Sequence, residues 1–134
     1  MQSVSQPQQP ANPQQALVHA QEGAKAYKQG DMSAAIDAWQ LAVALNPRDV
    51  VTRNNLALLL KQANRFDEAA ELLETGLESS PKVAELHYNL AVISELYLLD
   101  LKKALSHYKR YQSLSASEDK KVEGWIADLQ RRLD

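Results

Sequence analysis

The side chains able to do chemistry in this chain are few. Cysteine is absent, which removes disulfides, thiolate metal sites and cysteine nucleophiles and leaves the redox compartment open. His19 and His87 stand at one phase, two periods of 34 residues apart, and His107 falls on another helix. No histidine therefore has a His, Asp or Glu neighbour at metal-ligand spacing, and satisfied or solvent-facing histidines are expected. Glu68, Glu71, Glu74 and Glu78 recur every three to four residues, the pattern of a solvated helix face. Lys102, Lys103, Lys109 and Arg110 are balanced by acids, and no glycine-rich phosphate loop, nucleophile elbow or paired buried carboxylate accompanies them. The chain is expected not to be an enzyme, and to carry no metal and no cofactor.

What repeats is an amide. Asn55 and Asn89 lie 34 residues apart, each followed by Leu-Ala. An amide side chain both donates and accepts, so it can pair with a peptide backbone whatever that peptide's sequence. The same two residues could equally bond a neighbouring helix.

The elements that carry them follow the same period. Asn46-Pro47 recurs as Ser80-Pro81, and Gly23, Ala57 and Ala91 share a phase. Ala35, Ala69 and Ala104 follow after twelve, twelve and thirteen residues, and four residues later come Trp39, Leu73 and Tyr108. Antiparallel helices approach closely only where facing side chains are small, so each unit reads as a helical hairpin, with the bulky group filling space between neighbouring hairpins. Gly30-Asp31 and Asn64-Arg65 supply a left-handed residue and a cap for the turns, and Asp100 stands at the comparable place. Pro47 and Pro81 stop the second helices. Ser115-Ala116-Ser117-Glu118 offers a capping box ahead of an apolar stripe at Val122, Trp125, Ile126, Leu129 and Leu133, which predicts one closing helix.

These landmarks resemble the tetratricopeptide-repeat (TPR) family over residues 16 to about 114. The resemblance rests on the small first-helix residue, the Lys-Gln-Gly-Asp turn at Lys28 to Asp31, Ala35-Ile36, Trp39, Ala42 and Leu45-Asn46-Pro47. It continues with Leu60, Phe66, Ala69, Leu73 and Pro81 in the second unit and weakens in the third. The fold it implies is all-α: a right-handed α-solenoid of three TPR helix-turn-helix units at 16–49, 50–83 and 84–116, closed by a capping helix at 117–134. The third unit departs by one extra residue within Tyr97-Leu98-Leu99-Asp100, which predicts a lengthened or bulged first helix. Tyr111 stands where Ala42 and Gly76 are small, so it is expected to pack on the Trp125 helix instead of on a fourth repeat. No unit buries its apolar face alone, and stacking must supply the core.

If the resemblance holds, the first helices line a concave groove. Its wall would include Leu17, Ala20, Ala24 and Tyr27, then Val51, Asn54, Asn55, Leu58 and Lys61, then Glu85, Tyr88, Asn89, Val92 and Glu95. The clamp with which some TPR domains hold acidic chaperone tails is largely missing: Asn55 matches one position, while Ala20, Ala24, Glu85 and Asn89 replace the basic and other amide groups. A terminal carboxylate would meet Glu85. The implied function is a protein–protein interaction module, an adaptor or assembly factor that binds a partner segment in the groove. The alternative is a small TPR chaperone for secretion substrates.

Composition narrows the setting. The formal net charge is −2 with signs interleaved, which is no nucleic-acid footprint. Residues 1–15, with six Gln and three Pro, hold no apolar run and read as a disordered tether, neither signal peptide nor membrane span as written. Such stretches follow removed export signals or lipid anchors in bacterial envelope proteins. The expectation is therefore a removed signal or anchor and a periplasmic or envelope location ahead of a cytoplasmic one. A monomer is expected, with a dimer through the Trp125 helix as the alternative.

Overall fold

The computed structural model describes residues 12–134. The expected tether lies outside the described residues up to position 11. Seven helices and no strand occur among the described residues, and the chain divides into two compact units, Met1–Thr52 and Arg53–Asp134.

The first unit is one hairpin, α1 (Pro13–Lys28) and α2 (Met32–Leu45). Helix α1 begins three residues ahead of the expected boundary at 16. Asn12 caps it by accepting from the Gln15 amide, and Pro13 fills the first turn, where no amide donor is needed. The Asn12 amide in turn donates to the Leu45 carbonyl at 2.8 Å, tying the open end of the hairpin. At the closed end Gly30 takes φ +78° and Asp31 caps α2 through the Ala34 amide. Trp39, expected between hairpins, instead packs inside its own. Its indole Nε1 donates to the Ala20 carbonyl at 3.1 Å, and its ring lies over Gly23 so closely that a Cβ there would stand 2.3 Å from Cδ1. Glycine at 23, where the later units carry alanine, is the room that the indole needs.

The second unit takes most of α3 (Val50–Gln62), then α4 (Phe66–Ser79), α5 (Ala84–Leu96), α6 (Leu101–Leu114) and α7 (Lys120–Leu133). Leu56, Ala57, Leu60, Ala69, Leu73, Leu86, Leu90, Ala91 and Ile93 are buried to 2% exposure or less, so the small residues of the repeat lie in the core together with the large apolar ones. Gly76 makes room in the same way as Gly23, since a Cβ there would stand 2.6 Å from Arg53 Cδ.

The third hairpin corrects the expected lengthened helix. Helices α3 and α5 are both 13 residues long, and the extra residue widens the turn after α5 instead. Asn64 carries positive φ in the turn after α3, and Leu99, at +56°, does so in the longer turn, which closes by Leu98 and Asp100 amide bonds to the Ile93 and Ser94 carbonyls. A helix that packs along its whole length keeps its register, whereas a turn can take in a residue by changing its own backbone path.

The closing helix is capped differently than expected. Asp119, not the Ser115 capping box, accepts from the Lys121 and Val122 amides, while Ser115 Oγ donates to the Ser117 carbonyl. Val122, Ile126 and Leu129 of α7 join Ala91, Ala104 and Tyr108 in one buried cluster, against which Tyr88, Val92 and Tyr111 pack. Glu95 ties three helices together: Tyr108 OH donates to it at 3.1 Å and Arg132 of α7 approaches it at 3.7 Å. No helix among the described residues is long and apolar enough to cross a membrane.

Candidate functional site

A pocket of about 290 Å³ opens in the second unit. Helix α3 contributes Asn54 and Leu58, helix α5 contributes Glu85, Tyr88 and Asn89, and Tyr111 and Asp119 close it from α6 and from the cap of α7. The two helices meet at an amide pair, Asn89 Nδ2 donating to Asn54 Oδ1 at 2.7 Å. Beside it the Tyr88 ring tilts against Tyr111, with centroids 5.2 Å apart, and lies 6.3 Å from Trp125. Tyr111 OH donates to Asp119 Oδ2 at 3.2 Å, so the carboxylate that starts α7 also fixes the ring. Burial and the hydrogen bond to Asp119 push the Tyr111 phenol above its ordinary range, which keeps it neutral and donating.

Five of the groove residues expected from the sequence come together here: Asn54, Leu58, Glu85, Tyr88 and Asn89. Asn55, expected as the partner in kind of Asn89, is exposed and does not line the pocket. Lys61 and Val92 are half-buried, Val92 against the α5–α7 core. Leu17, Tyr27 and Val51 belong to the first unit, where Leu17 is 58% and Val51 67% exposed. Tyr27 there stacks on Trp39, with centroids 5.9 Å apart. Tyr111 and Asp119 escaped sequence reasoning as lining groups. Tyr111 was visible as a bulky residue at a small-residue position, but Asp119 carried no signal beyond its place near the start of α7. Trp125 packs on Tyr108 at 5.6 Å and stays 37% exposed.

Two of the histidines are satisfied by hydrogen bonds, as expected, although their partnership with each other is not visible in the sequence. His87 and His107 face each other across the third hairpin, Nδ1 to Nδ1 at 2.9 Å, and His87 Nε2 lies 2.8 Å from the Pro81 carbonyl. A carbonyl only accepts, so neutral His87 holds its proton on Nε2 and His107 Nδ1 must be the donor between the rings. Burial first, then the neighbouring His87 ring and Lys103, hold the His107 imidazole down at about 4. No group of three or more potential metal ligands occurs among the described residues.

The tetratricopeptide-repeat family model matches residues 26–93, just over half of the chain, and the chain belongs to that family. The peroxisomal targeting signal receptor of Saccharomyces cerevisiae is 34% identical over 68 residues, which is 51% of this chain but 11% of the receptor. Among solved structures, the first TPR domain of Spaghetti (RPAP3), bound to the HSP90 peptide SRMEEVD, is similar with a TM-score of 0.79 at 20% identity, covering 92% of this chain and 96% of that one. The type III secretion chaperone SycD of Yersinia enterocolitica, in complex with a peptide of the translocator YopD, reaches 0.78 at 16% identity, covering 92% and 98%. At such identities the likeness is one of fold.

Proposed function

We propose that this chain is a non-enzymatic protein-interaction module that holds a segment of a partner protein in the pocket of its second unit, as an adaptor or assembly factor. The observation that carries this reading is the Asn54–Asn89 pair. Two amides from two helices stand together at 2.7 Å beside a tyrosine pair. The pair supplies backbone hydrogen bonding and the rings supply area, which is what capture of a short peptide requires. Family membership supports it, and so do the peptide complexes of the structural neighbours.

The site is small, so an affinity on the order of micromolar is expected for the segment alone. Placement in a bacterial envelope complex is the finer part of the proposal. The charge-free Gln/Pro lead of the sequence supports it, and fractionation of source cells tests it.

The central test is affinity capture from those cells with wild type and with Asn54→Ala/Asn89→Ala. A stoichiometric partner whose recovery falls at least fivefold in the variant is expected. Equal recovery would move the contact surface away from this pocket.

A further inference from the structure

The pocket carries two carboxylates, Glu85 and Asp119, and no lysine, arginine or histidine lines it. Asp119 is held in place by two backbone amides of α7 and by the Tyr111 hydroxyl, so its charge cannot swing away. Glu85 sits solvent-exposed in the first turn of α5. The same pocket is lined by the Tyr88 and Tyr111 rings, inclined at 56° to one another. Two inclined aromatic rings and two carboxylates lining one pocket with no cation among them favour a cationic group over an apolar or anionic one.

The amide pair fixes how such a group would arrive. With Asn89 donating to Asn54, an Asn54 N–H and the Asn89 oxygen remain. If both amides are turned over, an Asn89 N–H and the Asn54 oxygen remain. Either arrangement leaves at least one donor and one acceptor on the pair, enough for the C=O and N–H of an extended backbone.

We infer that the pocket reads a cationic side chain, arginine or lysine, projecting from the bound segment, with Tyr88 and Tyr111 against it and Glu85 and Asp119 supplying the opposing charge. This rests on the segment-binding reading above. Charge complementarity selects the occupant, because an acidic tail would face two carboxylates with no cation among the lining residues.

The probes are four peptides, acetyl-Ala-Leu-Xaa-Leu-Ala-amide, with Xaa arginine, lysine, glutamine or glutamate, titrated into the full chain. The readout is the side-chain amide resonances of Asn54 and Asn89. The arginine and lysine peptides are expected to bind at least fivefold more tightly than glutamine, and glutamate most weakly. Glu85→Gln, an exposed substitution with no packing to disturb, should bring that preference to twofold or less. Tyr88→Leu, checked for an unchanged melting temperature, should weaken all four peptides and the cationic pair most. Glutamine or glutamate binding as well as arginine overturns the cation reading and leaves segment binding intact. If no peptide moves either asparagine, both readings fall.

Discussion

His107 shows how a single contact sets a pH response. Its imidazole stands near 4 in the folded chain against an ordinary 6.5, mainly because it is buried and faces His87. The unfolded chain takes up the proton first, so this group's contribution to stability is complete above about pH 6.5 and is lost as pH falls toward 4. After discounting for partial exposure, roughly 1–2 kcal/mol is at stake. His107→Gln can still donate to His87 Nδ1 but does not titrate. Urea midpoints of wild type should fall more steeply between pH 7 and pH 4.5 than those of the variant, and parallel profiles would exclude His107 as the cause. The sequence placed His87 in phase with His19. A period marks equivalent positions, while contact across a hairpin is set by how far α6 runs back along α5, and hence pairs residues 20 apart. The asparagines teach the same lesson. Asn55 is the repeat equivalent of Asn89, yet Asn54 touches it, because first helices of neighbouring hairpins meet with a stagger that periodicity does not encode.

At the scale of elements the sequence was more explicit. Pro47 and Pro81 follow α2 and α4 closely, and Gly30 and Asn64 take the left-handed conformation expected of them. The extra residue within Tyr97 to Asp100 is legible in the sequence but its place in the turn is not, since an inserted residue looks alike in a helix and in a loop until packing holds the helix in register. That turn forces Leu99, 76% exposed, to φ +56°, a conformation disfavoured for a residue with a Cβ by roughly 1–2 kcal/mol. Leu99→Gly should therefore exceed Leu99→Ala in stability by about 1 kcal/mol, less whatever glycine gains in unfolded-state entropy. Denaturant titration of the two variants decides it, and an alanine variant as stable as the glycine one would show that the turn relaxes.

For the whole molecule, each unit happens to own one tryptophan, Trp39 in the first and Trp125 in the second. In repeat proteins stability is transmitted between neighbours, so damage at one end is felt less at the other. Leu129 is fully buried in the α5–α7 core, and Leu129→Ala should destabilise its surroundings by about 2–4 kcal/mol. Placed in Trp39→Phe and Trp125→Phe backgrounds, it should shift the Trp125 fluorescence midpoint more than the Trp39 midpoint. Equal shifts would mean that the chain unfolds as one block. Family and helical fold were readable at this scale because they rest on many weakly informative positions that agree. The pocket was readable only in part, because Asp119 enters it through a capping geometry that differs from the Ser-x-x-Glu pattern.

The turn between α5 and α6 acts as a slack joint. By taking up the surplus residue outside the helices, it leaves Tyr88 and Asn89 aimed at the same pocket that a strict 34-residue unit would present. Lengthening at Leu98 and Leu99, between the Tyr97 stack on Phe66 and the Asp100 cap of α6, is therefore the change this edge should accept with least effect on Tyr88 and Asn89.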